Sequence, residues 1–268
     1  CGGYTTAVTA LTEEYGGSGW AAGGNLTTSR SSLRSAGTQT SAIAFGGYKP
    51  SPGYITVTES YNGTSWTNSP SLNTGRTGGS QAGTSTAALY AGGGTPGTIT
   101  NSEEYDGSSW SEGNNLNTAR TVVGGSGIQT AALAAGGELG PPGYTGATEN
   151  YDGTSWTTSP ASLNVIKGGQ GQNGTQTSSL AYGGYTGTAA TGATESWDGT
   201  SWTNLSPIAL ATARNATQGA GADNTSAVCF GGDPQKKDTE EYNFTANTIT
   251  AAAWSSGGAL STGRESMS

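Results

Sequence analysis

The stretch TESYNGTSWT, residues 58–67, is followed at residues 72–76 by LNTGR, and related copies of both occur six times along the chain. Within it, Asn62-Gly63 separates a Thr/Glu/Tyr run from a run that begins at Trp66. Asn-Gly between two such runs is the strongest short-range signal for a β-hairpin, because both turn residues accept positive φ. The stretch therefore predicts two antiparallel strands joined by a tight turn.

Every copy carries the same markers in the same order. A Gly-Gly pair comes first, and successive pairs begin 44 to 48 residues apart, at Gly2, Gly46, Gly92, Gly136, Gly183 and Gly231. A glutamate follows, with an aromatic residue two positions later: Glu13, Glu59, Glu103, Glu149, Glu195 and Glu240. The next marker is a tryptophan: Trp20, Trp66, Trp110, Trp156, Trp202 and Trp254. The last is a basic residue four positions after a leucine: Arg30, Arg76, Arg120, Lys167, Arg214 and Arg264. A period of this length is typical of propellers and solenoids.

Each repeat divides into four short predicted strands. Strands A and B lie between a basic residue and the next Gly-Gly and are rich in Gly, Ala and Thr, whereas strands C and D carry the glutamate, the aromatic residue and the tryptophan. Small residues suit the crowded centre of a propeller, and aromatic rings fill the wider gaps outside. We therefore expect an all-β, six-bladed kelch-like β-propeller with four antiparallel strands per blade and about 46 residues per repeat.

One repeat is divided between the two ends of the chain. The stretch from a basic residue to the next Gly-Gly spans 16 or 17 residues in five copies, but only four residues follow Arg264, and Cys1 directly precedes a Gly-Gly. We expect residues 1–268 to form a single propeller domain, circularly closed by a C-terminal strand, residues 263–268, that joins the N-terminal blade. A window cut from a longer repeat array is the alternative.

The markers resemble the kelch repeat, in which a hydrophobic residue and Gly-Gly precede a spaced Tyr and a Trp. The resemblance covers essentially the whole chain and implies a propeller fold that serves adaptors, adhesins and oxidases alike. The compressed form at residues 58–67 also resembles repeats in uncharacterised proteins of marine tailed phages and their hosts. That likeness implies a virion or extracellular location, as in a tail fibre or another surface protein.

Composition excludes several kinds of chemistry. Histidine is absent, which removes His-based triads and most zinc or copper sites, so we expect no metal, no cofactor and no enzymatic activity. Lys and Arg number 10 against 18 Asp and Glu, which leaves no basic stripe for nucleic acid. No apolar run is long enough to span a bilayer.

The six glutamates and six basic residues are interpreted as structural. Each glutamate shares a face with the aromatic residue two positions later, which directs it into a gap between sheets. We expect it to pair there with a basic residue of its own or the next blade, and we expect the six tryptophans to fill the same gaps. The adjacent carboxylates at Glu13-Glu14, Glu103-Glu104 and Glu240-Glu241 alternate between the two faces of a strand, which makes a propeller glycosidase the less favoured hypothesis.

The loops between strands B and C vary while the framework repeats, and binding residues gather on such loops. Four tyrosines in them are suited to stacking on sugars or anchoring a protein: Tyr48, Tyr54, Tyr144 and Tyr185. We therefore expect a binding module that recognises a surface glycan or protein receptor, or other structural proteins of the same particle. Ordinary solvated connections remain an alternative for the loops, and a self-assembling structural protomer of an extracellular assembly or filament remains one for the whole protein.

Overall fold

The computed structural model describes residues 1–140, 143–244, 253–260 and 263–266, without the side chains of residues 253–255. Five four-stranded antiparallel sheets follow one another along the chain, and in each the strands are hydrogen-bonded in the order A, B, C, D. Blade I comprises Arg34–Thr38, Ser41–Phe45, Thr58–Tyr61 and Trp66–Ser69. Blade II comprises Ser80–Gly83, Ala88–Ala91, Ser102–Tyr105 and Trp110–Gly113. Blade III comprises Gly124–Ile128, Ala131–Ala135, Thr148–Tyr151 and Trp156–Thr158. Blade IV comprises Gly171–Gly174, Ser179–Tyr182, Ala193–Trp197 and Trp202–Ala209. Blade V comprises Gln218–Asp223, Ser226–Phe230, Thr239–Asn243 and Ala253–Ser256.

Shorter ladders complete the described strands. The N-terminal hairpin consists of Glu13–Tyr15 and Trp20–Ala22. Three loops between strands B and C form small hairpins of their own: Tyr48–Lys49 with Gly53–Tyr54, Gly94–Thr95 with Gly97–Thr98, and Glu138–Gly140 with Gly143–Tyr144.

The β-propeller of four-stranded antiparallel blades is confirmed, but the prediction of six such blades is wrong, because the described residues form five. Strands A and B arise from the stretch between a basic residue and the next Gly-Gly, and the chain contains that stretch complete five times. The sixth repeat contributes strands C and D alone, as the N-terminal hairpin. On the inner side of this hairpin, the described residues leave an open cavity of about 530 Å³ that continues into the propeller axis.

Both ends of the chain contact each other. Tyr4 and Glu265 form an antiparallel bridge, in which the Tyr4 amide donates to the Glu265 carbonyl over 3.0 Å. The N-terminal hairpin also contacts blade V, since the Trp20 indole donates to Thr239 over 2.9 Å and the Tyr15 hydroxyl donates to Glu241 over 2.6 Å. Residues 267–268 of the predicted closing strand lie outside the described residues, and closure into a single domain stays a prediction.

The hydrophobic core lies in the gaps between adjacent blades. In one gap, Phe45 of blade I contacts the rings of Tyr90 and Trp110 of blade II, each at a centroid distance of 5.0 Å. In the five C–D hairpins whose tryptophan side chain is described, the indole packs on the aromatic residue that precedes the turn, as Trp66 does on Tyr61 at 4.8 Å. Rings of this size bury enough apolar surface to offset the low content of aliphatic residues.

Indole hydrogen bonds join neighbouring blades in a regular pattern. Each of four tryptophans is at most 7% exposed and donates to a hydroxyl of the preceding sheet: Trp66 to Thr12, Trp110 to Thr58, Trp156 to Ser102 and Trp202 to Thr148. Trp20 is half-buried. The side chain of Trp254 lies outside the part of the chain that the structure describes.

The Gly-Gly pairs have a conformation that other residues adopt only with strain. The first glycine of every pair has φ between 62° and 67°, and the second between 105° and 117°. A Cβ atom on Gly46 would also lie 2.7 Å from the carbonyl oxygen of Arg76. Backbone conformation and close approach of the next repeat together explain why all six copies keep this dipeptide.

Candidate functional site

The six conserved charge pairs of the repeat are buried ion pairs. Each basic residue contacts the glutamate of the following repeat, and the last contacts the glutamate of the first: Arg30–Glu59, Arg76–Glu103, Arg120–Glu149, Lys167–Glu195, Arg214–Glu240 and Arg264–Glu13. Their side chains are at most 6% exposed. The repetition of this pair in every repeat indicates that it belongs to the framework.

Backbone amides donate further hydrogen bonds to five of these carboxylates within the described structure: Glu59, Glu103, Glu149, Glu195 and Glu240. Glu59 accepts the Thr27 amide at 2.6 Å and the Arg30 guanidinium at 2.9 Å. Burial lowers the pKa of Arg30 to about 10, and the attraction of Glu59 opposes that decrease. A carboxylate held by a guanidinium and backbone amides stabilises the link between two strands, and its oxygens are already occupied by donors.

Asp-Gly turns occupy the ends of the blades opposite the B–C loops. Asp106 accepts the amides of Ser108 and Ser109 at 2.8 and 2.7 Å. Hydrogen bonds from Ser108 and Ser109 lower the pKa of Asp106 to about 2. The same arrangement occurs at Asp152 and Asp198. These aspartates therefore shape the hairpin turns.

One cavity lies where all six repeats meet. Its volume is about 120 Å³, and the residue two positions after each basic marker lines it: Ser32, Gly78, Val122, Gly169, Ala216 and Ser266. We call it the axial pocket. All six residues have positive φ, between 48° and 69°. Backbone hydrogen bonds connect successive members, as from the Ser32 amide to the Ser266 carbonyl over 2.7 Å and from Gly169 to Val122 over 2.7 Å.

Arg34 extends into the axial pocket and departs from the repeat. Other complete repeats have Ser80, Gly124, Gly171 or Gln218 at the same register. The residue is 7% exposed, and its Nε donates to the Gly79 carbonyl over 2.7 Å. Among the described residues, no carboxylate lies within ion-pair distance of it, and burial lowers its pKa. Sequence reasoning missed Arg34, although a charged residue at a position of strand A that is otherwise small or neutral was a usable signal.

Amide side chains occupy another part of the lining. Gln170 donates from Nε2 to the Ala135 carbonyl over 2.8 Å, whereas its buried Oε1 accepts no hydrogen bond within the described structure. The buried Oδ1 of Asn215, another lining residue, likewise accepts no hydrogen bond within the described structure. Gln218 also lines the cavity. A buried acceptor that lacks a donor is costly, so these atoms point to a partner that can donate.

The structure brings two of the four predicted tyrosines to the pocket. Tyr144 and Tyr185, from the B–C loops of blades III and IV, line it with ring centroids 5.9 Å apart. Glu138 lines it as well, and burial together with the charge of Glu138 raises the pKa of Tyr144. Tyr48 and Tyr54 instead pack on each other at 5.6 Å in an exposed hairpin, and neither lines the axial pocket.

An acid pair lies beside the pocket rim. Burial and a hydrogen bond with Asp233 raise the pKa of Glu265 to about 7. Glu265 directly precedes the lining residue Ser266 and bridges to Tyr4. Protonation of Glu265 near neutral pH therefore permits the hydrogen bond between the two carboxyl groups.

The described residues contain no cluster of three or more Cys, Asp or Glu placed to hold a metal ion. Nor do they include a helix of the length and apolarity that crossing a bilayer requires.

Comparison with known proteins supports the fold alone. No protein-family model matches the sequence, and no curated protein matches it either. Among solved structures, the chain is similar to the one titled "Structure of YjhT", with a TM-score of 0.71 and 16% identity over 91% of this chain and 90% of that one. At this identity the likeness establishes a β-propeller. The kelch and phage resemblances stay predictions.

Proposed function

We propose that the protein is a non-enzymatic binding module that recognises a surface glycan through the axial pocket and the B–C loops around it. The observation that carries the proposal is that Arg34, which departs from the repeat, meets the loop tyrosines Tyr144 and Tyr185 in one cavity of a repetitive scaffold. A framework needs the residues that recur, whereas residues that depart from the repeat and converge on a pocket serve a ligand.

Several features favour binding over catalysis. Among the described lining residues, Glu138 is the one carboxylate in the axial pocket, whereas glycoside hydrolysis generally requires two facing carboxyl groups. The repeated glutamates are engaged in buried ion pairs. A virion or extracellular surface is the proposed setting, in keeping with the resemblance of the repeat to phage proteins.

A glycan array tests the proposal with the purified chain and two variants. The double variant Tyr144→Ala/Tyr185→Ala is expected to lose at least tenfold in affinity for the glycans that the parent binds. Tyr48→Ala/Tyr54→Ala is the matched control, because it removes another pair of loop tyrosines outside the pocket. Equal losses in both variants, or no glycan binding by the parent, would overturn the proposal.

Light scattering distinguishes a binding module from a self-assembling protomer. We expect a monomer at micromolar concentration. The most exposed large apolar residues lie far apart in the sequence, and single exposed apolar residues are normal on a protein surface; they are Ile128, Leu139, Ile166 and Phe244. A concentration-dependent series of larger species would favour the structural protomer.

A further inference from the structure

We infer that the axial pocket is a subsite for a carboxylate group of a hydroxylated ligand, with Arg34 as the anion-binding residue. This inference rests on the proposed function and specifies its ligand: an acidic sugar of the uronic acid kind, whose carboxylate enters the pocket.

Arg34 carries a charge that the described protein leaves uncompensated. The six repeated basic residues are buried too, but each has a glutamate within 3.4 Å or less. Within the described structure Arg34 has one hydrogen bond, from Nε to the Gly79 carbonyl, and its side chain lines the cavity. Burying a charge without a counterion is unfavourable, and an incoming carboxylate removes that penalty. A guanidinium also matches the geometry of a carboxylate, which it binds through two parallel hydrogen bonds.

The amides determine what else the ligand carries. Oε1 of Gln170 and Oδ1 of Asn215 are buried acceptors that need a donor. A carboxylate supplies acceptors only, so a simple dicarboxylate or an acidic side chain leaves both amide oxygens without partners. Both oxygens lie beneath the pocket surface, so hydroxyl groups adjacent to the carboxylate reach them once the amide side chains turn toward the cavity. The combination of one cationic donor and two amide acceptors therefore favours an acidic sugar over an acidic peptide.

The size of the pocket limits how deeply the ligand enters. A dry cavity of about 150 Å³ holds a benzene molecule, so the axial pocket of about 120 Å³ admits a carboxylate and the ring atoms next to it. The rest of the sugar then lies at the mouth, against Tyr144 and Tyr185, whose rings contact each other at a centroid distance of 5.9 Å. Glu138 is the opposing charge in the lining, and its carboxylate weakens anion binding.

Calorimetric titration of the whole chain with three small molecules tests the inference. The probes are D-glucuronate, D-glucose and glutarate, which offer a carboxylate with hydroxyls, hydroxyls alone, and carboxylates alone. We expect glucuronate to bind at least tenfold more tightly than either of the others. Arg34→Gln is expected to lower the affinity for glucuronate at least tenfold, and Glu138→Gln is expected to raise it.

Arg34→Gln also loses the hydrogen bond from Nε to the Gly79 carbonyl, so circular dichroism must show that this variant folds. Gln170→Leu serves as the second variant, because it leaves that hydrogen bond in place. Gln170→Leu is expected to reduce the preference for glucuronate over glutarate. If glucose binds with the same affinity as glucuronate, and Arg34→Gln does not change that affinity, the carboxylate subsite is overturned. The glycan-binding function then stands. Glutarate binding that equals glucuronate binding would overturn the acidic sugar in favour of an acidic peptide. The absence of binding by all three probes, together with a positive glycan array, would place the site outside the pocket.

Discussion

Replacing Glu103 with Gln perturbs one buried ion pair with almost no change in shape. Glu103 is fully buried and accepts the Asn73 amide at 2.6 Å, the Asn73 side-chain amide at 3.0 Å and the Thr74 amide at 3.2 Å, besides its pair with Arg76. A glutamine presents one acceptor and one NH2 group to these donors and leaves the guanidinium of Arg76 without a counterion. Removing one partner of a buried pair costs about 3 to 5 kcal/mol.

That free energy corresponds to a measurable change in melting temperature. An unfolding entropy of about 2.1 cal/mol/K per residue gives about 560 cal/mol/K for a chain of 268 residues. The predicted loss for Glu103→Gln is therefore about 5 to 9 °C in Tm. Differential scanning calorimetry measures it directly, and urea unfolding followed by tryptophan fluorescence gives an independent free energy of unfolding.

Glu112 provides the matched control. It lies opposite Glu103 in the register of the neighbouring strand, and its side chain is exposed. Glu112→Gln is expected to change the stability by less than about 0.5 kcal/mol, as surface substitutions usually do. If the two variants melt at the same temperature, the repeated ion pairs do not stabilise the framework and the reasoning is refuted.

Three further predictions concern backbone strain and the contact between the chain ends. Gly46→Ala is expected to destabilise by at least about 2 kcal/mol in urea unfolding, because its φ is 64° and a Cβ would lie 2.7 Å from the Arg76 carbonyl oxygen; an unchanged midpoint would contradict this. Ala216→Gly is expected to stabilise by about 0.5 to 1 kcal/mol, since φ at Ala216 is 48° and glycine relieves that strain; a lower midpoint would show that the alanine is unstrained. Stability is expected to fall as pH rises from about 4.5 to about 7, because the raised pKa of Glu265 means that the folded state holds the proton more tightly than the unfolded state; Glu265→Gln should flatten this part of the pH profile, and an unchanged slope would assign it to other groups.

The sequence was sufficient for the fold class because the repeat markers have direct physical roles. The Gly-Gly pair occupies two positive-φ positions, and the basic residue of one repeat pairs with the glutamate of the next, as Arg30 does with Glu59. Asn-Gly and Asp-Gly form the C–D turns, where Asp106 accepts two backbone amides. Local rules of this kind act within one repeat and its neighbour, so they can be inferred from spacing alone.

The number of complete blades was not obtained correctly from the same markers. The four markers occur six times, yet strands A and B lie outside the markers, and the chain holds the stretch that forms them complete five times. The six-bladed ring required residues 263–268 to supply strand A of the N-terminal blade, whereas the chain lacks the remaining residues of that A–B hairpin.

The axial pocket could be predicted only in part. Tyr144 and Tyr185 were expected to contact a ligand because they lie in B–C loops. The contact between their rings, which come from two blades, depends on loop conformations that the repeated residues do not determine. Tyr48 and Tyr54 look equivalent in sequence and instead form an exposed pair away from the pocket. Arg34 was detectable as an exception to the repeat, whereas its lack of a carboxylate partner required the positions of all neighbouring side chains.

A crystal structure of the chain grown with D-glucuronate tests the ligand site most directly. The account predicts the sugar on the propeller axis, with its carboxylate oxygens about 2.7 to 2.9 Å from the guanidinium nitrogens of Arg34 and its ring packed against Tyr144 and Tyr185. A sugar bound elsewhere, or Arg34 paired with a carboxylate of the protein itself, would contradict it.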